Sequence, residues 1–162
     1  MLKKILIAVA VTGLVIWLGV PVLLQALGLH PECPPFEGDL AGRSALVIST
    51  SHADMCGEKG GQTGVAASEL LHPYYEFLDA GMRVDVASIQ GGAIPFEPGM
   101  LDWPIAGSYE KRFVSDSDAL DAVENSLKID HIDFTQYDVV FLAGGWGAAF
   151  DLGQSAVLGE KI

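Results

Sequence analysis

The chain has 162 residues, half of them hydrophobic, with 9 basic and 21 acidic side chains and a net charge of −12. That length allows one domain at most beyond a leading segment, and the apolar fraction is too high for a disordered polypeptide. All 21 acidic residues lie after position 30, where they meet 7 basic ones for a net of −14, so nucleic acid and anionic lipid are excluded as partners of that part.

Residues 5–29 form one uncharged apolar run of 25 residues. At about 1.5 Å per residue it can cross a hydrocarbon core of about 30 Å with some tilt. A cleaved signal peptide has a shorter apolar stretch, roughly 7 to 15 residues, before small residues at the cut, whereas Gln25 and Leu27 stand near the end of this one. The reading is therefore an uncleaved, single-pass transmembrane anchor over residues 1–29, with Trp17 and Pro21 as lipid-facing bulk and a tolerated kink. Lys3 and Lys4 favour the cytoplasm for the amino end and place the following domain outside it. Residues 30–43 read as a stiff linker, with Pro31, Pro34 and Pro35 around Cys33. Cys33 and Cys56 are the two cysteines. An extracytoplasmic location would permit a disulfide between them, but nothing in the sequence requires one.

Ala45–Ser49 (ALVIS) suits a strand buried on both faces of a parallel sheet. A polar, glycine-rich loop follows. From Gly64 to Gly81, Val65, Leu70, Leu71, Tyr74, Tyr75, Phe77 and Leu78 recur at helical spacing, with Thr63 as the expected N-cap and Gly81 as the terminating glycine. Met82–Ser88 alternates as a second strand and closes a parallel β-loop-helix-β unit. Residues 91–104, with three prolines and three glycines, read as an irregular excursion or small hairpin. Ser115 or Asp116 caps a helix through Ala119, Leu120, Val123 and Leu127. Tyr137–Ala143 (YDVVFLA) is the strongest strand signal, followed at once by Gly144, Gly145 and Gly147, a short helix from Ala148 to near Gly153, and the beginning of another helix. The fold class is α/β: an N-terminal transmembrane helix plus an incomplete flavodoxin-like parallel sheet with flanking helices. Three clear strands are few for such a sheet, and the domain reads as cut short.

Gly144-Gly145-Trp146-Gly147 lies where a buried strand ends and a helix begins, at the carboxyl edge where such sheets bind ligands and where backbone N–H groups can form an anion or oxyanion site. The competing reading is a tight turn without a ligand. Residues 57–64 resemble a phosphate-binding loop only superficially, since no Lys-Ser or Lys-Thr pair closes them. Glu69, in an apolar helical stretch one turn before His72 and Pro73, would face the core or a cleft, where a carboxylate needs a partner or a function; the alternative is a solvated residue on the polar face. His52, Asp54 and Cys56 are a weak metal set, so neither metal nor cofactor is expected.

Three of these segments together resemble the ThiJ/PfpI family, within the class I glutamine amidotransferase-like superfamily, and in particular its glyoxalase III and chaperone-like members. They are ALVISTS, TGVAASELLHPYYEFLDAGMRVDVASIQGG and YDVVFLAGGWGAAFDL, so that residues 44–162 correspond to the N-terminal part of the family's domain. The resemblance implies that Glu69 is the acidic residue that approaches the nucleophilic cysteine, and that Gly145 lends an amide to the oxyanion hole. A thiolate attacking a carbonyl needs such an acid/base and such a donor. The family's cysteine, usually in Cys-His-Gly on a strand-to-helix elbow, would follow the helix that begins near Gln154, and Cys56 cannot stand in for it. Trp146 replaces the His common between the glycines and makes the site entrance more apolar. The resemblance implies a glutathione-independent glyoxalase or related cysteine hydrolase acting on a small reactive aldehyde, a homodimer as in many members, and an inactive chain in the absence of the thiol. The alternative is a non-catalytic, chaperone-like binding module at the membrane; an amidotransferase would need a domain to receive ammonia.

Overall fold

The computed structural model describes residues 2–28, 38–55 and 60–162. Cys33, Cys56, most of the proline-rich linker and the centre of the glycine-rich loop lie outside these residues. Two compact units separate within the linker, 1–34 and 35–162.

In the first unit, α1 (Leu2–Ala26) is a continuous helix that includes Pro21 and has no buried residue. It is long and apolar enough to cross a membrane.

The second unit is built on a sheet of β1 (Ser44–Ser49), β2 (Arg83–Ser88), β3 (Leu127–Lys128) and β4 (Val139–Leu142), in the order β3-β2-β1-β4. Every pairing is parallel, with Ala45 level with Val84 on one side and Val139 on the other. All six residues of β1 are buried, as expected for a central strand flanked on both edges and both faces. Alternation along the strands feeds two cores. Val47 and Val86 pack with Leu70, Leu71, Tyr74 and Tyr75 of α2 (Ala67–Asp79), Phe113 of α3 (Ser108–Phe113) and Val123 of α4 (Ser117–Glu124). On the opposite face Leu46, Ile48 and Ala87 meet Ile129, Ile132, Phe134 and, from α6 (Ala156–Lys161), Leu158. The short α5 (Ala148–Asp151) and a 3-10 turn at 152–154 link β4 to α6.

Three expectations change. Thr63 does not cap α2: the helix begins after Ala66 without a side-chain cap, and Thr63 is buried with its hydroxyl unpaired, because the chain makes an extended pass against Phe96 through Val65 before it coils. Asp116 does cap α4, accepting from the Asp118 and Ala119 amides at 3.1 Å each, but that helix stops at Glu124 and Leu127 starts β3, paired with Ala87. The apolar run at 137–143 forms an edge strand among the described residues, bonded to β1 alone, so Val139, Val140 and Leu142 remain 36–41% exposed. Its hydrophobicity reads as two-sided burial, but lateral position in a sheet is set by topology and not by the strand's own sequence.

Candidate active site

Parallel β1 and β4 deliver their carboxyl ends to the same side of the sheet, and the loops that leave them meet there. The β1 loop is latched to α5. Asp151 accepts from the Thr50 hydroxyl at 2.7 Å and the Ser51 amide at 2.8 Å, and the His52 ring stacks on Phe150 at 4.4 Å. Among the described residues the His52 ring also contacts the Asp54 carbonyl through Nε2. Among the described residues no group of three or more His, Cys, Asp or Glu side chains could hold a metal ion.

The glycine turn after β4 is set into a bed made by residues 64–66. Ala66 N–H donates to the Gly144 carbonyl at 3.2 Å, and Gly147 N–H donates to the Gly64 carbonyl at 2.9 Å. The fit leaves no room for side chains. A Cβ on Gly145, whose φ is +131°, would lie 2.6 Å from Ala66 N and 2.8 Å from the Gly64 oxygen, and one on Gly147 would lie 2.8 Å from the His52 carbonyl. Glycine is required at 145 by conformation as well as by space.

Glu69 occupies the first turn of α2 and points at this bed. It is neither in the core nor free in solvent: though exposed, its carboxylate Oε2 accepts from Gly144 N–H at 2.9 Å. A Cβ on Gly144 would strike that same oxygen, so the small residue there is what lets the carboxylate approach. Pro73, four residues on, offers no N–H to the Glu69 carbonyl. Glu69, Gly144, Gly145 and Gly147 are thus brought together, while Trp146 stands on the outside of the turn, 66% exposed.

A second carboxylate completes the turn. Glu97 Oε1 accepts from Trp146 N–H at 2.6 Å, the shortness expected of a charged acceptor. Glu97 sits in the Gly/Pro-rich stretch that reads from sequence as irregular, and an isolated acidic residue there gives no periodic signal that could single it out. Below the site, Glu110 is almost fully buried. Its Oε2 accepts from Gly107 N–H at 2.9 Å, and its Oε1 lies 3.6 Å from His72 Nε2. Beside it the Tyr109 hydroxyl donates to Glu76 at 2.5 Å, and this bond, followed by burial, pushes the phenol up to about 12.

The arrangement can stabilise a developing oxyanion at an amide and offer a carboxylate to move a proton beside it. No family model matches the chain. Curated relatives do: the glutathione-independent glyoxalase hsp3102 of Schizosaccharomyces pombe is 33% identical over 113 residues, covering 68% of this chain and 47% of that protein. Glutathione-independent glyoxalase HSP31 of Saccharomyces cerevisiae is 28% identical, over 69% and 48% respectively. Among solved structures, Rapid Encystment Protein 24 kDa of Francisella tularensis superposes with a TM-score of 0.66 at 32% identity, covering 74% of this chain and 52% of that one. Glyoxalase III of Candida albicans shares the fold at a TM-score of 0.62 and 24% identity, over 72% and 49%. The chain spans about half the length of the curated relatives it matches. These likenesses, each over about half of the relative's length, make the chain a homologue of the glutathione-independent glyoxalases of the ThiJ/PfpI family.

Proposed function

We propose that the protein is a membrane-tethered glyoxalase-type enzyme that converts a small reactive 2-oxoaldehyde, such as methylglyoxal, to the corresponding hydroxy acid. The observation that carries this reading is the Glu69 carboxylate bonded to Gly144 N–H, immediately beside the Gly145 amide, in a chain whose relatives are named for that activity. In this reading the nucleophile is the family's cysteine carried by the whole protein, and neither Cys33 nor Cys56, both of which precede α2 in the sequence, takes its place.

In this scheme the thiolate forms a bond to the aldehyde carbon, and the carbonyl electron pair becomes an alkoxide facing the Gly145 amide. Protonation gives a hemithioacetal. Glu69 then takes the proton from that carbon and returns it to the neighbouring one, and hydrolysis of the resulting thioester frees the hydroxy acid and the thiol. Methylglyoxal-to-lactate turnover by the whole protein and by Glu69→Gln tests the scheme: the variant loses most of kcat, and equal activity in both would remove Glu69 from the chemistry.

The tether is α1, with Lys3 and Lys4 holding the amino end in the cytoplasm and the catalytic unit on the other side. A reporter fused at Ile162 that is active only in the cytoplasm would reverse this topology. A second reading, a chaperone-like module without turnover, is favoured by one observation, the exposed apolar set Val139, Val140, Leu142 and Trp146. It predicts suppression of client aggregation that is indifferent to Glu69→Gln.

A further inference from the structure

The four amides of the glycine turn are not equivalent. Gly144 N–H is bonded to Glu69, Trp146 N–H to Glu97, and Gly147 N–H to the Gly64 carbonyl, whereas Gly145 N–H meets no acceptor among the described residues. The peptide that carries this last N–H is oriented at its other end. Its carbonyl, Gly144 O, accepts from Ala66 N–H, and because C=O and N–H of a trans peptide point in opposite directions, the Gly145 N–H is aimed away from the 64–66 bed.

We propose that Glu97 is the positioning residue of this site, clamping the carboxyl side of the turn so that the Gly145 amide is presented to an anionic oxygen. Glu97 is suited to the task because its own backbone is fixed. Its N–H donates to the Val65 carbonyl at 3.0 Å, and Val65 N–H donates to the Pro95 carbonyl at 2.8 Å, so residues 95–97 run as a short ladder against the segment that also supports Gly144 and Gly147. One flank of the turn is held by Glu69 and the other by Glu97. The two carboxylates differ in duty: Glu69 borders the reacting atoms, while Glu97 acts through the Trp146 peptide and touches nothing that reacts.

The catalytic consequence rests on the glyoxalase reading, but the clamp itself does not, and the experiment separates them. Steady-state turnover of methylglyoxal by the full-length protein in nanodiscs is compared for wild type, Glu97→Gln and Glu97→Ala, together with the backbone amide NMR signals of Gly145 and Trp146. Gln keeps an acceptor oxygen at the same reach, and Ala removes it. The expected result is a loss in kcat of about 10- to 100-fold in Glu97→Ala with KM little changed, the scale of a misplaced catalytic group, and recovery of most of that loss in Glu97→Gln. The Trp146 amide proton, held downfield by the charged acceptor, moves upfield in both variants, and the Gly145 amide moves in Glu97→Ala alone. A Trp146 amide unmoved in either variant would overturn the clamp. A wild-type kcat in Glu97→Ala would overturn its role in presenting Gly145. Absence of turnover in the wild type would instead count against the glyoxalase reading, leaving the amide signals to decide the clamp.

Discussion

Replacing Gly145 by alanine tests how firmly the turn is seated. The added Cβ would fall 2.6 Å from Ala66 N, 2.8 Å from the Gly64 oxygen and 3.0 Å from the Val65 carbonyl carbon, all backbone atoms of a segment tied on both sides by hydrogen bonds. None of them is the end of a flexible side chain. The residue would also keep φ near +131°, a strain of about 1–3 kcal/mol for a side chain with Cβ. Overpacking against a fixed wall adds a similar amount. A destabilisation of about 3 kcal/mol follows, which for a domain of this size lowers Tm by about 10 °C. Thermal unfolding of the full chain in detergent, followed by near-ultraviolet circular dichroism, measures it. Gly153→Ala is the internal control, because no atom lies within 4 Å of its added Cβ and its φ is not positive. The reasoning fails if Gly145→Ala melts within about 2 °C of wild type, on the same scale of Tm against stability.

Asp116→Ala removes the acceptor for two α4 amides and leaves the Tyr75 hydroxyl, which donates to the other carboxylate oxygen at 3.1 Å, without its partner. A loss of about 1–2 kcal/mol, seen as a lower urea midpoint at unchanged m, is expected from the cap alone. Tyr109→Phe tests an alkaline dependence. The folded phenol is raised to about 12 from an ordinary value near 10, so its contribution is complete below pH 10 and is lost as pH rises through 12. Melting temperature against pH therefore falls less steeply between 10 and 12 in the variant than in wild type; identical slopes would show that the Glu76 bond does not couple to folding.

Where secondary structure follows from a local pattern, the sequence is a sufficient guide. β1 announces itself by an unbroken apolar run, α2 by the helical spacing of Leu70, Leu71, Tyr74 and Tyr75, and α4 by an aspartate ahead of an amphipathic stretch. Each of these signals is contained within a dozen residues. β3 and α3 escape because two and six residues carry too little periodicity to register, and the missing cap at Thr63 escapes because the parallel bridge to Phe96 that holds Val65 extended comes from a segment 31 positions away. The exposure of β4 is illegible for a similar reason. Its apolar content is local, but its neighbours are a matter of strand order.

The candidate site divides along the same line. Glu69 and the glycines stand out because a carboxylate in an apolar helix and three glycines after a strand are local anomalies. Glu97 is nothing of the kind; it becomes meaningful only when the chain has folded and residue 97 lies beside residue 146. The turn is thus built from four stretches: the bed at 64–66, a carboxylate from α2, a carboxylate from the proline-rich excursion and the amides after β4. None of them orients the Gly145 amide by itself. Carboxylates on the Gly144 and Trp146 amides flank the Gly145 N–H on both sides, so that of the four amides in the turn this one alone has no acceptor among the described residues, and its direction depends on contacts from segments far apart in the chain.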